Sequence, residues 1–176
     1  MTETQARSET RTPAPRAGVA LAVGIVFALG FPSPAPAANV FIQVLTPAVT
    51  LVPTAADYEQ DFIDAAGASG IALRIKTNDP VGMAILVRCS DPAPQIAPGD
   101  LMVRTLTPPG NGGRALDTYT PVTAVNQLLW STGTSIAPFF NVTTDIRIRN
   151  LFNYDDGPAA GPTGYTSTLT FSVIAQ

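Results

Sequence analysis

The sequence predicts an all-β protein, a single immunoglobulin-like antiparallel β-sandwich that follows a cleaved signal peptide. Apolar and polar side chains alternate with a period of two in many short segments, which is the pattern of a strand with one buried face. The chain also contains 17 Pro and 14 Gly, so turns are frequent and long helices are disfavoured. About eight to ten short strands result, at the spacing typical of sandwiches.

The N-terminal region has the pattern of a secretory signal. Three Arg residues precede the apolar run 17–31, and a small-x-small cleavage site ends at Ala37. A run of about 15 apolar residues is shorter than the roughly 20 that span a bilayer. We therefore predict a signal peptide at 1–37 and a domain at 38–176. We expect export through the Sec pathway to the extracellular space or the cell surface, with no membrane contact after cleavage.

The charge and cysteine content of the mature chain exclude several functions. Without the leader, 7 basic and 11 acidic residues remain, a net charge near −4. This balance does not favour nucleic acid or an anionic membrane surface as a partner. The single Cys89 cannot form an internal disulfide, so stability must come from packing.

Local alternation predicts the individual strands. The clearest pair, 71–77 and 83–89, is joined by the turn sequence Asn-Asp-Pro-Val-Gly. The segment 56–67 is ambiguous between a strand at 58–63 and one or two helical turns. The last strand, beginning at Tyr165, is expected to pair inside a sheet with its apolar face in the core. Further strands are predicted at 40–45, 49–53, 100–106, 119–123, 127–132 and 145–150.

The residue types present argue against catalysis. The chain has no His, which excludes Ser-His-Asp and Cys-His catalysis and His-containing zinc or copper sites. Cys89 shares its strand face with Met83 and Val87, which predicts a small buried hydrophobe. The acidic residues of 57–61 would share one strand face, but a glycosidase also needs a cleft between its carboxylates, usually with aromatic side chains. We predict that the protein is not an enzyme.

Two ligand classes remain as alternatives. Asp57 with Asp61, or Asp155 with Asp156, could supply oxygen ligands to a structural calcium ion, although neither pair has the spacing of a recognised calcium loop. No other cofactor is predicted. Glycan binding would need exposed aromatic rings, whereas the aromatic residues are scattered and core or rim packing is expected for them. These residues are Tyr58, Tyr119, Trp130, Phe139, Phe140, Tyr154 and Tyr165.

The mature N-terminus predicts an assembly element. Its apolar segment has side chains on both faces, Val40, Ile42 and Val44 on one and Phe41 and Leu45 on the other. Long apolar strands left at an open edge aggregate unless their pairing is intended. Strand addition between copies would be such a use.

The layout of the chain resembles a known group of proteins. A leader, an apolar N-terminal strand, Ser-Gly before I-A-L-R-I-K-T-N, a second alternating strand and a closing G-Y-T-S-T-L-T-F-S-V follow one another. This order resembles exported bacterial β-sandwich surface proteins of the spore-coat-U and pilin-like kind, although those families often carry a disulfide. The resemblance implies a surface or fimbria-like structural subunit.

These observations give one main functional prediction and one alternative. We expect an exported structural or adhesive surface protein that associates with copies of itself or with other surface subunits, by addition of its N-terminal strand. The alternative is a soluble β-sandwich module that binds glycan or calcium.

Overall fold

Antiparallel strands make up most of the regular structure. The computed structural model describes residues 38–91, 95–154 and 165–176, and 45% of these described residues are in strands and 10% in helices. The strands are β1 (Val40–Val44), β2 (Phe62–Ala65), β3 (Ile71–Thr77), β4 (Met83–Cys89), β5 (Leu101–Arg104), β6 (Thr120–Pro121), β7 (Gln127–Thr132), β8 (Ile136–Arg149) and β9 (Leu169–Ala175). The helices are α1 (Ala55–Gln60) and two 3-10 turns, Gly67–Ser69 and Leu151–Tyr154.

The strands form two sheets. The larger has the order β1-β3-β8-β5-β6, with β2 also paired to β8, and the smaller has the order β7-β4-β9. Every pairing is antiparallel. These two sheets confirm the prediction of an all-β sandwich. The predicted leader, 1–37, lies outside the described residues, and the immunoglobulin-like topology stays a prediction.

The core lies between the sheets and is built from the inward side chains that strand alternation predicts. In β3, Ile71, Leu73 and Ile75 are buried, whereas Lys76 is exposed. Each such buried side chain contributes on the order of 1.5–3 kcal/mol to folding. The core is formed by Ile71, Leu73, Ile75, Met83, Ile85, Val87, Ile96, Leu101, Val103, Val122, Leu129, Trp130, Val142 and Ile146.

The turn between β3 and β4 forms where the sequence predicts it. The Asp79 carboxylate accepts the N–H of Val81 at 3.0 Å, and the Thr77 hydroxyl accepts the N–H of Asp79 at 3.0 Å. Gly82 then takes a φ of +91°, and a Cβ there would collide with the backbone carbonyl of Thr132. A glycine is therefore required at this position.

Several predicted elements differ from the structure. The region 55–66 contains a helix followed by a strand, because Thr54 and Asp57 cap the start of α1 and Asp61 ends it in a left-handed conformation. The predicted strand 49–53 is irregular, although Val49 and Leu51 still pack against the core.

The last strand is also shorter than expected. It begins at Leu169 and not at Tyr165, and it pairs with β4 alone, at the edge of the smaller sheet. The prediction that it lies inside a sheet was therefore wrong. Cys89 is only half-buried, with its Sγ 3.5 Å from the Ser167 hydroxyl, so it is less enclosed than predicted. None of the helices within the described residues is long and apolar enough to cross a membrane.

Candidate functional site

At the outer edge of β1, main-chain groups have no partner among the described residues. Leu45 N–H donates to the Ala72 carbonyl at 2.8 Å, and Asn78 N–H donates to the Asn39 carbonyl at 3.3 Å. In an antiparallel ladder, alternate residues turn their N–H and C=O groups to opposite sides. The main-chain groups of Val40, Ile42 and Val44 therefore point away from β3, towards an edge that no described strand covers.

Strand β9 has a second open edge next to the first. Ser90 N–H donates to the Thr168 carbonyl at 2.9 Å, and Gln176 N–H donates to the Gly82 carbonyl at 3.4 Å. The main-chain groups of Leu169, Phe171 and Val173 therefore point away from β4. Because β1 and β9 contact each other, an edge strand of each sheet lies on the same side of the sandwich, and no other strand of the described ranges covers that side.

The predicted self-association residues divide into two groups. Val40 and Ile42 are half-buried and pack against the core of their own sandwich. Phe41 and Leu45 lie on the outer face and are exposed, and Val44, although it belongs to the inner face, is exposed as well. The N-terminal strand is thus an integral edge strand with an apolar outer surface.

A basic aromatic patch extends from β1 across the outer face of the larger sheet. We define it by Phe41, Arg74, Lys76 and Phe139. The rings of Phe41 and Phe139 are 5.3 Å apart in an edge-to-face arrangement. The Arg74 guanidinium carbon lies 4.0 Å from the Phe139 ring centre, and Lys76 Nζ lies 5.4 Å from it.

The two cations of this patch have no acidic partner in the described part of the chain. The three ion pairs found there involve Arg104, Arg147 and Arg149. Phe41 and Phe139 are each 42% exposed. The patch therefore offers apolar surface and uncompensated positive charge together. Sequence reasoning missed it because its members come from three strands that are distant in sequence.

The calcium candidates of the 57–61 region have local structural roles. The Asp57 carboxylate accepts the N–H and the hydroxyl of Thr54, both at 2.7 Å. These hydrogen bonds lower the pKa of Asp57. Asp61 ends α1 with a φ of 59°. Among the described residues, no group of three or more potential ligands could hold a metal ion. Asp155 and Asp156 lie outside the described residues.

Helix α1 and the 3-10 turn that follows β8 form an acidic aromatic patch. We define it by Asp57, Tyr58, Glu59 and Phe152. The rings of Tyr58 and Phe152 are 5.5 Å apart, and Phe152 is 65% exposed. Neither acidic residue belongs to an ion pair within the described ranges.

A network of paired charges covers the outer face near β2, β5 and β8. Arg147 binds the Asp64 carboxylate through two hydrogen bonds of 2.7 and 2.8 Å, and Arg104 Nε binds Asp145 at 2.9 Å. Both guanidinium groups lie over the Tyr119 ring, at 4.3 Å for Arg104 and 4.0 Å for Arg147. Burial, followed by the charge of Asp64, raises the pKa of the Tyr119 phenol. The network therefore neutralises its own charges and stabilises this face of the sheet.

A shallow pocket opens at the end of the sandwich beside Phe139. It has a volume of about 400 Å³ and lies between the loop at Pro108 and Pro109 and the start of β8. The Phe140 ring stacks on Trp130 at 6.1 Å. Trp130 itself is buried, so of the aromatic residues at this end Phe139 and Phe140 are the accessible ones.

Comparisons of the chain with protein-family models, curated proteins and solved structures find no match. The resemblance to spore-coat-U and pilin-like proteins therefore stays a prediction, and the functional argument rests on the geometry described above.

Proposed function

We propose that this chain is an exported structural or adhesive surface protein whose copies associate by strand addition at the open edge of β1. The observation that carries the proposal is the unpaired main chain of Val40, Ile42 and Val44, next to the exposed side chains of Phe41 and Leu45. Export is inferred from the leader at 1–37, and a cell-surface or extracellular location follows from it.

The composition of the edge supports intended pairing. Monomeric proteins protect edge strands with Lys, Pro or bulges. Strand β1 has the sequence Val-Phe-Ile-Gln-Val, with no charge and no Pro, and it pairs with β3 in continuous register. A second β1 can pair with this edge without displacing any hydrogen bond of the monomer.

The test blocks the edge but preserves the monomer. In Val44→Pro, the lost N–H is one that faces the open edge, so the ladder with β3 is maintained and pairing with another strand is disfavoured. Val44→Ala removes apolar surface and keeps the N–H, and it is the matched control. We expect the parent and Val44→Ala to form dimers or larger species by light scattering, and Val44→Pro to be at least about tenfold weaker in association. Circular dichroism must show that both variants are folded.

This measurement is made in about 0.5 M NaCl, where contacts between exposed charges are largely screened. A parent that is monomeric at high concentration in about 0.5 M NaCl would contradict the proposal, because main-chain pairing should persist there. If Val44→Pro associates like the parent while Val173→Pro does not, the assembly edge is β9 and the assignment to β1 is wrong.

The second candidate function is a soluble glycan-binding module, and the pocket beside Phe139 and Phe140 favours it. The exposed rings of Phe139 and Phe140 can stack on the apolar face of a sugar, and Ser135 in the same pocket can form a hydrogen bond with a sugar hydroxyl. A glycan-array signal that is lost in Phe140→Ala would support it. For calcium, the corresponding measurement is a rise in melting temperature on adding the ion, reversed by a chelator.

A further inference from the structure

The two aromatic patches lie at opposite ends of one long strand. The basic aromatic patch contains Phe139, near the start of β8, and the acidic aromatic patch adjoins the end of β8 at Arg149. Strand β2, which follows α1 directly, pairs Phe62 with Arg149, and Phe152 comes three residues after that strand ends. From Phe139 to Arg149 the strand rises ten residues, roughly 33 Å. The patches are therefore too far apart to meet within one molecule.

The patches are complementary in charge. One carries Arg74 and Lys76, and the other carries Asp57 and Glu59, with no ion-pair partner for any of the four within the described ranges. Each also exposes an aromatic ring, Phe139 at one end and Phe152 at the other. Uncompensated opposite charges beside apolar rings are typical of surfaces that bind one another, because the charges orient the contact and the rings contribute buried area.

We propose that the basic aromatic patch of one copy binds the acidic aromatic patch of the next, so that copies associate head to tail. The inference rests on the proposed function, since it names a second contact for a self-associating subunit. The two patches are different surfaces, so the contact is heterologous and leaves a free patch at each end of any assembly. Growth is therefore open and does not stop at a dimer.

The contact is chemically distinct from pairing at the β1 edge. It depends on side chains and on charge, so it weakens as salt increases, whereas main-chain pairing does not share this dependence. The two contacts can therefore be measured separately on the same protein.

The experiment uses the full chain carrying Val44→Pro, so that edge pairing is disfavoured, in about 20 mM salt, where surface charges interact over long distances. Lys76→Glu cancels the net charge of the basic patch, because Arg74 remains, and Glu59→Lys cancels that of the acidic patch, because Asp57 remains. The matched control is Arg88→Glu, which changes net charge as Lys76→Glu does at an exposed site on β4. All variants are checked for folding by circular dichroism and their mass is measured by light scattering.

We expect the Val44→Pro chain and its Arg88→Glu control to form concentration-dependent oligomers. Each single patch variant should associate at least about tenfold more weakly, because the altered patch no longer has a net charge that attracts the intact patch of the next copy. An equimolar mixture of Lys76→Glu and Glu59→Lys should form a 1:1 dimer and grow no further, since each contributes one intact patch. The double variant Lys76→Glu with Glu59→Lys should not self-associate, because neither of its patches keeps a net charge that attracts the other.

Other results would overturn the inference. If the mixture of single variants stays monomeric, or if Arg88→Glu weakens association as much as Lys76→Glu, the patches do not bind each other. If the parent associates in high salt but no patch variant has an effect in low salt, the head-to-tail contact is wrong and edge pairing stands. A parent that is monomeric in both salts contradicts both proposals.

Discussion

Substitution of the single tryptophan tests how the two sheets are joined. Trp130 is 1% exposed, pairs with Ile85 in the smaller sheet and stacks on Phe140 of the larger one. Its indole N–H donates to the Thr107 carbonyl at 3.1 Å. Trp130→Phe removes this hydrogen bond and one of the two fused rings. The residue stays apolar and aromatic, so the changes in side-chain polarity and volume are both small.

The cost of Trp130→Phe can be worked from these contacts. Full truncation of a buried Trp to Ala costs about 3–5 kcal/mol, and Phe retains about two-thirds of the atoms that this truncation removes, so the lost packing is worth about 1–2 kcal/mol. The unpaired Thr107 carbonyl adds about 1 kcal/mol, the low end of the usual range, because Thr107 is half-buried and water can reach it. We therefore expect a loss of about 2–3 kcal/mol in the free energy of unfolding, or a fall in melting temperature of about 8–12 °C.

The assay is urea unfolding followed by circular dichroism, since the variant lacks the tryptophan that would report by fluorescence. Val125→Ala, at a 72% exposed position, is the control and should change stability by less than about 0.5 kcal/mol. A double-mutant cycle with Phe140→Leu should give a coupling of about 0.5–1.5 kcal/mol for the stacked rings. A loss below about 1 kcal/mol, or additive effects in the cycle, would refute the view that Trp130 joins the sheets.

Two further predictions concern the backbone and the response to pH. Gly82→Ala should cost more than about 2 kcal/mol in urea unfolding because its Cβ would meet the Thr132 carbonyl, whereas Gly67→Ala, with positive φ but open space, should cost about 1 kcal/mol. If the two variants lost equal free energy of unfolding, the close approach of Gly82 to the Thr132 carbonyl would not be the cause of the larger loss. Burial and a hydrogen bond to Asp100 raise the pKa of Tyr154 from 10.0 to about 12, so its stabilisation is complete below pH 10 and is lost as pH rises towards 12. Absorbance titration should show one late-ionising phenol fewer in Tyr154→Phe than in the parent, since the pKa of Tyr119 is raised in both; an unchanged titration would contradict this assignment.

The strands that sequence predicts best are those defined by local rules. The boundaries of β3, β4 and β7 agree with the predicted segments 71–77, 83–89 and 127–132, because alternation determines their buried faces and adjacent turn residues end them. Alternation alone does not decide between helix and strand for the region of α1. The spacing from Thr54 to Asp57 is close to a helix-capping signal that favours the helix. The first half of β8 was missed, since Pro138 interrupts a pattern that otherwise reads as a strand.

The candidate site was predictable only in part. The N-terminal strand was identified from its composition, but whether it pairs within its own sheet depends on long-range partners that local patterning does not encode. The same limit applies to β9. Its alternation correctly predicts which side chains face the core, but its position at the edge of the sheet depends on which strands pair with it. The patch around Phe139 combines residues from β1, β3 and β8, so it could not be recognised before those strands were paired.

The two proposed contacts differ in symmetry, and this difference predicts the form of the assembly. Antiparallel pairing of two β1 edges relates the copies by a two-fold axis and closes at a dimer, whereas head-to-tail contact between the patches is open. Together they join chains of copies in pairs and should produce ribbons. Electron microscopy should therefore show ribbons for the parent in low salt, single-file chains for Val44→Pro and isolated dimers for Lys76→Glu. Single-file chains from the parent would mean that the β1 edge is not used. Isolated dimers from the parent would mean that the two patches do not bind each other.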